Sequence, residues 1–361
     1  MRVRHLTIVV AAASATVLFA APAATAHPSG HPSGHPSRGW HPQTLTTEVI
    51  APFHLDTAHG KLYVADGGTS TVSVVRRDGS LRAVAMGPQP GEVAGVAVRG
   101  GSIAYTTTNY ETGAATLTVK TGSKSVVADL SGFEAKRNPD RRVHYGLADP
   151  SCAVDVLGPF ASYRGEVDSH PYAVTAWRDG SWIVADAGGN DLLKVDPHGK
   201  VSLVAVLPTQ PLLITEEFAQ ANGVPDCVGQ TYAFEPVPTD VEVGPDGMLY
   251  VTTLPGGPED PSAGARGSVY KVNPWSGHAT RVATGFAGAT GLTFGPDRTI
   301  YVAELFAGRV SKVRGGMPKA VASLPGALAV EYGNGHLYAG TLAPFDDQGN
   351  PTGTGSVVRL R

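Results

Sequence analysis

The chain has 361 residues, of which 16% are charged, and a formal net charge of −3 at pH 7. That balance excludes the basic footprint of a nucleic-acid binder and the cationic patch of a membrane-surface protein. Charge is sparse against the ~25% usual for soluble domains, whereas 45 glycines and 28 prolines point to many tight turns.

The first 26 residues read as a secretory signal. Arg2 and Arg4 give a positive start, residues 6–21 an apolar core, and Ala24-Thr25-Ala26 a cleavage site. The core is too short to cross a bilayer and no later run approaches ~18 apolar residues, so an extracellular product without a membrane span is expected. Residues 27–43, HPSGHPSGHPSRGWHPQ, repeat His27, His31 and His35 among prolines and glycines and read as a linker able to bind metal only weakly.

From residue 44 a four-strand pattern recurs. Its most regular copy is SWIVADAGGNDLLKVDPHG at 181–199: an apolar run ending in Asp186, a small-residue turn, a second apolar run, and a Pro-x-Gly turn. Related second strands are Leu62-Tyr63-Val64-Ala65-Asp66, Ile103-Ala104-Tyr105-Thr106-Thr107, Leu249-Tyr250-Val251-Thr252-Thr253, Ile300-Tyr301-Val302-Ala303-Glu304 and Leu337-Tyr338-Ala339-Gly340-Thr341. The shortest intervals lie near the ~40–50 residues of one propeller blade. With no helical periodicity between the runs, the pattern predicts an all-β fold, a six-bladed β-propeller over 44–361. The last unit lacks a fourth strand, and residues 44–50 form a strand without a unit. Pairing of 44–50 with 355–361 would close the ring and remove its edge.

Two long inserts, about 131–168 and 208–238, interrupt the spacing, and each holds one of the two cysteines, Cys152 and Cys227. An even number in an exported chain, placed in neighbouring inserts, predicts a disulfide.

In such a meander the starts of first strands and the ends of second strands share one rim at the channel mouth, the default place for a ligand. Most positions there are small. His54, Glu92, His170, Asp240 and Glu304 are the polar exceptions and the candidate site residues. Imidazole and carboxylates together can hold a divalent cation, a single calcium or zinc in the channel, or act as acid and base on an ester. Asp66 and Asp186, each before a Gly-Gly pair, read as turn caps. Thr175, Glu242 and Thr293 share a position in the first strand, beside Asp56, and read as hydrogen-bonding between blades. No nucleophile elbow, zinc-protease helix, P-loop or dinucleotide glycine pattern is present.

The DG turn, the L-Y-V-A-D strand and K-V-D-P-x-G resemble NHL-type six-bladed propellers. The signal segment, HPYAV at 170–174, the cysteine-bearing inserts and VADAGGNDLLKVD resemble the ScyD/ScyE family of exported bacterial proteins, a resemblance that spans the chain from about Thr44. It implies the fold and assigns no activity. A more distant similarity is to gluconolactonase and strictosidine-synthase-like propellers, whose channel holds calcium or zinc. Asn222-Gly223 lies in an insert and does not match the asparagine motif of those lactonases.

Two functions remain open from the sequence. One is a monomeric module whose rim binds a small molecule, a glycan or a protein. The other is a metal-dependent hydrolase of a lactone or ester. The function lives in the site, and the fold does not choose between them.

Overall fold

The computed structural model describes residues 40–258, 261–346 and 348–361; the signal segment and all of the histidine-rich linker up to Arg38-Gly39 lie outside them. Within them the repeats form six four-stranded antiparallel sheets. The first blade is Pro52–Ala58, Lys61–Asp66, Thr71–Val75 and Leu81–Met86, and the second Gly91–Arg99, Ser102–Asn109, Ala115–Thr121 and Lys124–Asp129. The third is Pro171–Ala176, Trp182–Asp186, Asp191–Val195 and Val201–Val206, and the fourth Pro238–Val243, Leu249–Thr253, Gly267–Val272 and Ala279–Phe286. The fifth is Ala289–Phe294, Ile300–Glu304, Arg309–Arg314 and Met317–Ser323. The sixth combines Ala327–Gly333, His336–Thr341 and Gly355–Leu360 with the N-terminal strand Pro42–Val49. Each first strand touches the first strands of the blades on either side, and the sixth touches the first, so the ring is closed. The chain is a β-propeller.

Closure follows the expected register, beginning slightly earlier than position 44. Pro42 lies opposite Leu360, Thr44 opposite Val358 and Val49 opposite Gly355. His41 and Arg361 exchange backbone hydrogen bonds of 2.7 and 3.1 Å beyond the strand, and the Trp40 ring lies 5.7 Å from that of Tyr301 in the fifth blade. Val49 is buried against Leu55, Val64 and Val357, so the N-terminal strand joins the hydrophobic seam between the sixth and first blades.

Small residues on the first strands let blades approach the axis. At Gly95 a Cβ would stand 2.9 Å from Ala173 Cα and Val174 N, backbone that cannot yield. The first strands also share an irregularity near their starts, between Pro52 and His54, Val93 and Val96, Pro171 and Ala173, Pro238 and Asp240, Ala289 and Gly291, and Ala327 and Ala329. Such a bulge re-aims a side chain that alternation would send elsewhere. Phe53, Ala94, Tyr172 and Leu328, all at these bulges, cluster with Ala51, Ala187 and Val237 in one buried apolar group. Phe53 and Tyr172 rings meet at 5.1 Å.

The inserts are not bare loops. They build a seventh four-stranded sheet together, in the order Ser162–Arg164, His144–Leu147, Thr231–Phe234, Gln210–Leu213. A helix, Leu130–Arg137, opens the first insert, capped by the Asp129 carboxylate on Gly132 N. Leu147, Ile214, Phe218, Tyr232 and Phe234 form the core of this unit, and Cys152 and Cys227 are joined by a disulfide with Cα atoms 5.3 Å apart. Changing both cysteines to serine is expected to loosen the insert sheet by about 2–4 kcal/mol. Hydrogen exchange checks this: amides of Leu147 and Tyr232 lose protection while those of Val184 and Val251 keep it, and equal protection at Tyr232 in both forms would refute the expectation. No helix among the described residues is long and apolar enough to cross a membrane.

Candidate functional site

His54 and Asp240 occupy equivalent bulge-adjacent positions on the first strands of the first and fourth blades, which a six-membered ring places across the axis from each other. Their side chains meet there, His54 Nε2 to Asp240 Oδ1 at 3.0 Å. His54 Nδ1–H donates to the Val96 carbonyl at 2.9 Å, which fixes the ring and commits Nε2 to the channel. Asp240 accepts from the backbone N–H of Val241 and of Leu292, both at 2.7 Å. Burial opposes charge on His54, but the Asp240 carboxylate outweighs it and raises the imidazole above its ordinary value.

Two residues further along each strand comes a second tier: Asp56, Thr175, Glu242, Thr293 and Glu331. Threonines bridge the acids as the sequence suggested. Thr175 Oγ1 donates to Glu242 at 3.3 Å, and Thr57 and Thr293 donate to Glu331 at 3.0 and 3.2 Å. Asp56 accepts from Val98 N. Burial, and then the neighbouring acids, push Glu242 well above the carboxylate range and Glu331 up to about 8; burial also raises Asp56. Among the described residues, His54, Asp240 and Glu242 are the group whose ligand atoms all lie within 4.8 Å of one another. A cavity of about 240 Å³ adjoins His54 and Glu242 and is lined also by Asp56, Thr293, Glu331 and Tyr332.

The position of this cavity differs from the expected channel mouth. It runs from His54 toward the ends of the first strands, at Val98, Ala176, Val243 and Phe294, whereas the mouth beside the inserts is filled by Phe53, Tyr172, Val237 and Leu328. The physical reason is the repeated bulge, which turns Phe53, Tyr172 and Leu328 inward where a rim of small residues was expected.

The other candidates form separate arrangements. Glu92 and His170 are paired in a short Nε2–Oε1 contact, at 1% and 7% exposure, with Tyr110 OH donating to the other Glu92 oxygen at 2.7 Å. Burial opposes the charge on His170, and Glu92 overcomes it, lifting the imidazole to about 9. Glu304 is clamped by Arg309 through bonds of 2.7 and 3.0 Å and accepts from Ala287 N, so its acceptors are spent within the fifth blade. Asp66 and Asp186 cap turns, Asp66 accepting from Ala51 N and Gly68 N and Asp186 from His170 N and Gly189 N. Glu331 was not singled out from the sequence, although it follows Ala327-Leu328-Ala329-Val330 at the position where Glu242 follows Asp240-Val241.

No family model matches the sequence, and no curated protein matches it. Solved structures do. The PQQ-bound aldose sugar dehydrogenase of Streptomyces coelicolor has a TM-score of 0.55 at 12% identity, over 88% of this chain and 97% of that one. A streptogramin B lyase has a TM-score of 0.50 at 12% identity, over 90% and 98%. A protein described as a candidate gluconolactonase has a TM-score of 0.50 at 12% identity, over 90% and 93%. At these identities the likeness is one of fold: the chain shares the β-propeller of these proteins.

Proposed function

We propose that the chain is an exported propeller of the ScyD/ScyE type that holds one divalent cation at His54, Asp240 and Glu242 and hydrolyses a small lactone or ester in the central channel. The observation that carries this reading is the convergence of those three ligand groups within 4.8 Å beside a cavity. The donor set fits a metal. The His54 Nδ1–H is held by a backbone carbonyl, the usual outer-shell arrangement of a ligating histidine, and mixed imidazole and carboxylate suit zinc better than calcium.

The cation would supply Lewis acidity toward the substrate carbonyl and toward water. The protein's own groups do the rest. Val96 and Leu292 orient His54 and Asp240. Asp56 lines the same cavity, where its ionised carboxylate can take a proton from attacking water, whereas Glu331, raised to about 8, holds its own proton near neutral pH. A space of about 240 Å³ admits a compact monomeric substrate and excludes a polymer. The substrate class rests on the similarity to lactonase propellers, and export rests on residues 1–26.

Metal content and hydrolysis of a lactone and ester panel test the proposal on protein freed of residues 27–39. The expected result is one zinc per chain, with activity lowered at least about 100-fold by chelation and by Asp240→Asn. A metal-free wild type, or a panel left intact by the zinc-loaded protein, would overturn it.

One observation favours a second reading, a binding module. A groove of about 790 Å³ beside the insert helix is lined by Lys136, Arg137, Arg141 and Lys200 together with Phe133 and Leu203. Its charge suits an acidic glycan or an acidic protein surface.

A further inference from the structure

A second group of acids lies where the first insert meets the third blade. Asp191 opens that blade's third strand, is 0% exposed, and neither of its carboxylate oxygens has a hydrogen-bond partner. Above it, on the insert helix, Glu134 is 2% exposed and its Oε1 is also unpartnered. Asp140, just past that helix, accepts from Tyr145 OH and Asn190 Nδ2 at one oxygen while its Oδ1 has no partner. A buried carboxylate left without hydrogen bonds is costly unless a charge or a proton satisfies it.

Asp191 and Glu134 face the same space, beside Gly189, whereas Asp140 Oδ1 faces Gly165. Gly189 carries no side chain, and the position a Cβ would take there is 3.5 Å from Asp191 Oδ1, 3.5 Å from Glu134 Oε2 and 3.6 Å from Asp186 Cγ. The neighbouring charges that act most on Asp191 are Asp186, Glu134 and Asp140, and those on Glu134 are Asp186, Asp140 and Asp168, all negative. Burial, and then those neighbours, hold Asp191 well above the carboxylate range and Glu134 up to about 8. Asp186 is committed to Ser169, His170 and Gly189 and contributes field more than ligand atoms.

We propose that the space beside Gly189 is a calcium site, ligated by Asp191 and Glu134, that pins the insert helix Leu130–Arg137 to the third blade. The donors are all hard oxygens, the two freest carry the charge of one divalent ion, and no imidazole or thiolate is present to favour zinc. The site is separate from the channel and does not depend on the activity proposed above.

The test uses the full mature chain, stripped with chelator and then titrated with calcium chloride while bound calcium and Tm are read. Wild type is expected to take up one calcium per chain and to gain about 4 °C at a calcium concentration 100-fold above Kd. Glu134→Gln, on a helix of an insert and able to fold, is expected to abolish both uptake and gain, as is Asp191→Asn; His54→Gln is expected to keep both. Calcium uptake surviving in Glu134→Gln, or lost in His54→Gln, would overturn the assignment. So would a wild type indifferent to calcium whose Asp191→Asn variant is more stable in chelator, because the acids would then hold protons instead.

Discussion

A chain beginning at Pro52 is expected to lose cooperative unfolding, or at least on the order of 5 kcal/mol, which is comparable to the whole net stability of a domain. Removing the first 51 residues strips Pro42–Val49 from Gly355–Leu360 and leaves that strand's N–H and C=O groups as an open edge. It also empties the places of Val49 and Trp40 against Val64 and Tyr301. The measurement is urea unfolding followed by near-ultraviolet circular dichroism, with a synthetic peptide of residues 40–51 added in trans. Restoration by the peptide is the expected sign of strand addition. A truncated chain as stable as the full one would show that the ring closes by other means.

The second large effect is expected at Glu92. Glu92→Gln removes the carboxylate that compensates a buried imidazolium, a loss of about 3–5 kcal/mol for a broken buried pair. The loss depends on pH. His170 is raised from 6.5 to about 9 in the fold, so the stability its proton contributes is complete below pH 6.5 and fades as pH climbs through 9. Glu92 is lowered from 4.5, so its contribution is present above pH 4.5 and is lost as pH falls through the folded value. The difference between wild type and Glu92→Gln is therefore largest between about pH 4.5 and 6.5 and shrinks toward pH 9. Glu331 and Glu134, each raised to about 8, also make the wild type less stable as pH rises from 4.5 to 8, and taking the difference between the two proteins cancels them. Urea midpoints at pH 5.5, 7.5 and 9.5 read it; a penalty independent of pH would mean that His170 is neutral throughout.

Much of the architecture was legible in the sequence because a period-two strand pattern repeats, and a strand without a unit at one end matched a unit without a strand at the other. The pairing of Cys152 with Cys227 followed from two inserts at equivalent places in neighbouring blades. The sheet those inserts build was not legible. His144–Leu147 and Thr231–Phe234 have four residues each and pair across more than eighty positions of chain, so neither carries a local signal. Within the site, His54 and Asp240 stood out because their neighbours in the repeat are small. Glu331 was missed because the apolar run Ala327-Leu328-Ala329-Val330 matches Asp240–Val243 two residues too early, the fold making Ala329 the equivalent of Asp240. The inward packing of Phe53 and Tyr172 was not legible for a different cause: alternation says nothing about a bulge, and the bulge decides which way they point.

That stack of bulge residues has a consequence for traffic through the molecule. A ring of blades is open at both ends in principle, but here Phe53, Tyr172 and Leu328, with Val237 beside them, pack into one buried apolar cluster at the insert end. The cavity beside His54 opens toward the other end, where the first strands finish at Val98, Ala176, Val243 and Phe294. A ligand in that cavity and a partner on the insert sheet would therefore meet opposite ends of the ring and would not compete for one face.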